Sequence, residues 1–78
     1  MAADMPELVR TIVQALADQP DAVAVTEVDR GRMKVIQLKV SSEDLGRVIG
    51  RDGRVANAIR ALLDAAPGHD RWKLEIVD

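Results

Sequence analysis

A chain of 78 residues without cysteine, carrying a net charge of −2, has room for one small domain and no means of disulfide or thiolate–metal support. No apolar run approaches the roughly 18 residues needed to cross a membrane, and residues 1–7, Met-Ala-Ala-Asp-Met-Pro-Glu, lack the basic start and apolar stretch of a signal peptide. The expectation is a cytoplasmic protein with no membrane contact.

Asp4 can cap a first helix, Pro6 fits its first turn, and Glu7 occupies the capping-box position. Met5, Leu8, Val9, Ile12, Val13 and Leu16 recur at three- and four-residue steps, one apolar stripe that ends near Asp18 and is closed by Pro20. Residues 22–29 read as a strand, Asp29-Arg30-Gly31-Arg32 as a turn, and residues 33–40 as a second strand pairing antiparallel with the first. On that second strand Ile36, Leu38 and Val40 point one way, and Val35, Gln37 and Lys39 the other. Ser41-Ser42-Glu43-Asp44 is predicted to cap a short helix running to about Ile49. A third helix begins near Gly53 and presents Val55, Ala58, Ile59, Leu62 and Leu63 on one face, until Pro67-Gly68 breaks it. Residues 71–77 form a last strand with Trp72, Leu74 and Ile76 on one face. The order is α-β-β-α-α-β, an α+β domain spanning 1–78 with helices packed on one face of a three-stranded sheet. The other sheet face carries Met33, Val35, Val77 and charges, so that face or an edge strand is the place to seek a partner.

Charge is unevenly spread. Residues 1–29 hold one basic and six acidic side chains, residues 30–60 eight and three, and residues 61–78 two and four. The positive third contains the stretch Val48-Ile49-Gly50-Arg51-Asp52-Gly53-Arg54-Val55. For binding a polyanion, the local field counts for more than the total. Two glycines three apart, between helices, permit the left-handed backbone that so sharp a corner demands. Bare of side chains, they also let a sugar–phosphate backbone approach closely. The first-turn amides of the following helix favour an anion. Arg47, Arg51 and Arg54 add charges, and a guanidinium fork suits phosphate. Val48, Ile49, Val55 and Leu74 would border a narrow groove on whose aliphatic walls unstacked bases can lie. With Trp72 the only aromatic residue, modules that read bases by ring stacking fit poorly.

In this order of elements, Ile49-Gly50-Arg51-Asp52-Gly53-Arg54-Val55 resembles the loop of a type II KH domain. The longer phrase from Leu45 to Arg54 is similar to that of the small bacterial single-KH RNA-binding proteins of the KhpA type, and the similarity covers essentially the whole chain. That resemblance implies a cytoplasmic RNA-binding protein acting as an RNA chaperone. It implies dimers, with itself or with a second KH-containing protein of the KhpB/Jag type, and a link to cell shape and cell-wall synthesis. It places RNA on Arg47, Val48, Ile49, Gly50, Arg51, Asp52, Gly53, Arg54 and Val55. The second middle residue of the loop, Asp52, departs from the basic or neutral residue common in KH domains. A solvated carboxylate there repels phosphate by roughly 1 kcal/mol or less, so weak and strongly salt-sensitive binding is expected.

The competing reading is a KH-like protein–protein adaptor with weak or no RNA binding, motivated by the net acidity and Asp52. Single-stranded DNA is a third candidate, since nothing in the loop chemistry requires a 2′-hydroxyl. No nucleophile–base pair, P-loop lysine or second ligand beside His69 is visible, so no enzyme, cofactor or metal is expected.

Overall fold

A computed structural model describes residues 4–66 and 71–77. The chain runs α1 (Met5–Leu16), β1 (Ala24–Arg30), β2 (Met33–Lys39), α2 (Leu45–Ile49), α3 (Arg54–Asp64) and β3 (Arg71–Val77). Short 3-10 turns at Pro20–Ala22 and Arg51–Gly53 join neighbouring elements. The α-β-β-α-α-β order is the one read from the sequence, and the fold is α+β, consistent with a type II KH domain. The expected break at Pro67-Gly68, and His69, lie outside the described residues.

At the head of α1 the Asp4 carboxylate accepts from the Glu7 amide at 3.1 Å, while the Glu7 side chain turns to Arg10 at 3.4 Å. Only the first half of the expected capping box forms. Met5, Val9 and Val13 are fully buried, whereas Leu8 and Leu16 stay exposed at the margins of the stripe. In α3 the buried line is Ala56, Ile59 and Leu63. Ala58 and Leu62, expected on that face, are exposed, because the inward face is turned toward Ala56, one step round the helix.

The sheet order is β1-β2-β3, with β1 antiparallel and β3 parallel to the central strand. The parallel pairing places Leu74 beside Ile36 and Ile76 beside Leu38. Ile36, Leu38, Val40 and Leu74 form a core with Met5, Val9, Val13, Val48, Ile59 and Leu63. Each buried aliphatic residue of this kind stabilises by about 1.5–3 kcal/mol, against roughly 3–5 kcal/mol of net stability for so small a core. Trp72 is half-buried, with the Lys34 ammonium 5.6 Å from its ring centre.

Ser41–Asp44 does more than the capping read from its sequence: the Ser41 hydroxyl accepts from the Asp44 amide at 3.3 Å, just ahead of α2. Asp44 makes no side-chain bond to α2. With only 1% of its surface exposed, it is the buried charged residue of the described chain. Its carboxylate accepts from the amides of Asp18 (3.0 Å) and Gln19 (2.9 Å) and from the Ser41 hydroxyl (3.1 Å). These bonds tie the segment after α1 to the start of α2. The two backbone amides lead, with Ser41 and nearby Arg47 adding, in holding the Asp44 carboxyl below its ordinary range against the opposing effect of burial. A depressed carboxylate pKa stabilises the fold above the unfolded value, and that contribution disappears as pH falls through the folded value. An Asn at 44 has a single carbonyl for two amides and turns an NH2 toward one of them. Asp44→Asn is therefore expected to lower the thermal midpoint at neutral pH and to flatten the acid limb of a stability–pH curve, both read by circular dichroism melts from pH 2 to 7.

Candidate nucleic-acid interface

Between α2 and α3 the chain reverses within four residues. The Gly50 amide still donates to the Gly46 carbonyl at 2.8 Å, closing α2, while Gly50 itself adopts φ 79°, ψ 171°. The Gly53 amide donates back to the Gly50 carbonyl at 3.2 Å, which makes a single tight turn. Asp52 (φ 57°) and Gly53 (φ 76°) are both left-handed. Aspartate is among the few residues that enter this region at modest cost, which gives Asp52 a structural reason to stand at this position.

The two glycines are required for different reasons. A Cβ on Gly50 would stand 2.6 Å from Val55 Cγ2 and 2.8 Å from the Val55 amide nitrogen. The approach of the two helices is thus closed to any side chain. A Cβ on Gly53 would meet only Asn57 Nδ2, at an ordinary 3.6 Å; there only the positive φ selects glycine.

Around this elbow Arg51, Asp52 and Arg54 are exposed, and neither arginine makes an ion pair among the described residues. Arg54 begins α3, whose first-turn amides add partial positive charge. Arg47 is exposed as well, but its guanidinium grips the Asp18 carboxylate through two contacts of 2.9 and 3.0 Å. An exposed pair of that kind stabilises by about 1 kcal/mol at most, so it delays Arg47 without removing it. Ile49 is 38% exposed and Val55 half-buried beside the loop. Val48 and Leu74 lie in the core, 0% and 2% exposed. They support the elbow from beneath and offer no surface, so the aliphatic wall beside the loop is Ile49 and Val55.

An open hollow of about 580 Å³ lies at the far end of α2, lined by Lys39, Val40, Ser41, Ser42, Leu45 and Val77. The sequence reading left these residues out of the site. The hollow exists because parallel pairing sets Val77 beside Lys39, at the end where α2 departs. A periodicity argument about single elements carries no signal for that juxtaposition. Among the described residues no group of acidic or histidine side chains is placed to hold a metal, and no helix is long and apolar enough to cross a membrane.

A family model described as KhpA/KhpB, KH domain, matches residues 6–77. The chain belongs to this family. A protein of Caldanaerobacter subterraneus named RNA-binding protein KhpA is 55% identical over 62 residues, covering 80% of this chain and 83% of that one. The Treponema pallidum protein of the same name is 45% identical over 74 residues, 92% of each chain. That of Listeria monocytogenes is 41% identical over 76 residues, 95% of this chain and the whole of its own. These names describe RNA-binding proteins. No solved structure matches the chain.

The contrast between the glycines can be measured. Gly50→Ala combines left-handed strain with a clash against backbone and is expected to cost about 2–4 kcal/mol, a large share of what holds so small a fold. Gly53→Ala makes only an ordinary contact with Asn57 and should cost about 1 kcal/mol. Chemical denaturation of the two variants, read as midpoints at equal slope, checks the ranking.

Proposed function

We propose that this protein binds short single-stranded stretches of RNA at the glycine elbow. The observation that carries the reading is an exposed, left-handed turn framed by two uncommitted guanidiniums, at a point where α2 and α3 approach too closely for any side chain. Gly50 and Gly53 leave the backbone bare. Arg51 and Arg54 meet phosphates, aided by the first-turn amides of α3, and Arg47 joins them by exchanging Asp18 for a phosphate. Ile49 and Val55 give bases an aliphatic rest beside the loop. The hollow bounded by Val40, Leu45 and Val77 extends that room along α2. A KH loop clamps about four nucleotides, so sequence discrimination is low. The names of the relatives support RNA as the ligand.

A grip that short gains from a second module through effective concentration. This favours action as a homodimer, or as a heterodimer with a KhpB/Jag-type protein, and the family description names both proteins. An RNA chaperone in the cytoplasm, serving cell-shape and cell-wall control, is the cellular role that accords with this reading.

Titration of a short unstructured RNA at low and at physiological salt tests it. Undetectable binding even at low salt would leave the adaptor reading standing. Arg51→Asp places two carboxylates side by side in an exposed turn; affinity is expected to fall at least about tenfold, ~1.4 kcal/mol, with the melting curve unchanged. Wild-type affinity in that variant removes the loop from the mechanism. Asp52→Asn retains tolerance of the left-handed backbone and deletes the repulsive charge. It should tighten binding by about two- to fivefold at low salt, within the ~1 kcal/mol of a solvated charge, and the gain should shrink as salt is raised.

A further inference from the structure

The helices pack on the side of the sheet that carries Ile36, Leu38 and Leu74. The register lays out the opposite face in four rows: Arg30–Met33–Arg71, Val28–Val35–Lys73, Thr26–Gln37–Glu75 and Ala24–Lys39–Val77. Arg30, Lys39, Arg71 and Lys73 are all exposed there, and one carboxylate, Glu75, shares the face. Arg30, Arg71 and Lys73 fall in two adjacent rows about Met33 and Val35. With strands about 4.8 Å apart and alternate residues about 6.7 Å apart along a strand, the backbone positions of the three cations stand ~7–12 Å from one another. None of them is ion-paired among the described residues. Asp64 lines a hollow that also touches Met33, Arg71 and Lys73, and Asp29, next to Arg30, belongs to the helix-covered face.

Crowding like charges on one face is unfavourable, and Glu75 offsets one of the four without forming an ion pair among the described residues. The apolar centre is uneven. Met33 is 41% exposed, while Val35 is 3% exposed. An open face with spaced cations around one exposed apolar side chain suits an extended phosphodiester strand, which asks for charges at intervals and no shaped pocket. A folded acidic partner would need complementary relief as well.

We propose that this sheet face is a second contact for the RNA backbone, separate from the glycine elbow. The inference rests on the elbow's being an RNA site. The basic rows lie at the end where β2 begins, and the elbow lies beyond the end where β2 finishes, seven residues or about 20 Å further on. A strand whose four or so nucleotides are all held in the loop has none left for the sheet face. A longer strand passes round a body of 35 × 24 × 22 Å and engages both.

The test uses one unstructured RNA of about 30 nucleotides, titrated by fluorescence anisotropy at several salt concentrations. The proteins are the wild type, the double variant Arg30→Thr/Lys73→Thr, Arg51→Asp, and the three changes combined. Threonine keeps strand propensity at exposed positions, and equal melting curves confirm the fold. The expected result is a loss of about fivefold or more in the double variant, with the slope of log K against log salt reduced by about 0.7 for each lost single-strand phosphate contact. The combined variant should be weaker than either alone, and Arg30→Lys/Lys73→Arg should keep wild-type binding. Wild-type affinity and slope in the threonine variant, while Arg51→Asp weakens binding, overturn the sheet-face contact and leave the elbow reading intact. No effect of Arg51→Asp is instead a failure of the elbow reading. A change in sedimentation of the threonine variant with unaltered RNA affinity assigns the face to a second copy of the chain and also overturns the proposal.

Discussion

Everything at the candidate site depends on how closely two short helices meet. Gly50 lies so near the backbone of Val55 that no Cβ fits between them. That approach lets α2 end and α3 begin inside one 3-10 turn, and it sets the exposed Arg51 and Arg54 on either side of Asp52. Val48 and Ile59 hold the two helices to the same core from below. An elbow stiffened on both sides loses little freedom on binding an anion, and such preorganisation is what a small contact area needs in order to bind at all.

The second constraint is the buried Asp44. A charge inside a small domain is tolerable when its oxygens are fully hydrogen-bonded, and here two backbone amides and a serine hydroxyl do this. The clamp joins the segment after α1 to the start of α2, and the Arg47–Asp18 pair lies on its outer side. Asp18 thereby has two duties, an amide for Asp44 and a carboxylate for Arg47. The two are made by different atoms, so breaking the exposed ion pair would leave the buried amide bond in place.

The element order, the turn after Arg30, the apolar centre of α1 and the alternation in β2 were legible because each follows from local spacing. So was the glycine elbow, whose two glycines and flanking arginines are adjacent in sequence. What misled were residues whose local habit and tertiary duty differ. Ser41–Asp44 reads as a cap, yet Asp44 reaches across to residues 26 and 25 positions away. Val48 and Leu74 read as groove walls, yet they are spent on the core. Ala58 and Leu62 lie on the apolar arc of a helical wheel, yet the packing of α3 turns Ala56 inward in their place.

By itself the sequence determined the α+β class, the site of the corner and the sign of the charge around it, because turn chemistry, hydrophobic period and charge density are properties of neighbours along the chain. Only the tertiary structure decided which arginines are uncommitted, which aliphatic residues keep a surface, and that Val77 meets Lys39 beside α2. Those outcomes turn on the parallel register of β3 and on the inward rotation of α3, and such long-range placements are set by competition for one small core that no local pattern records.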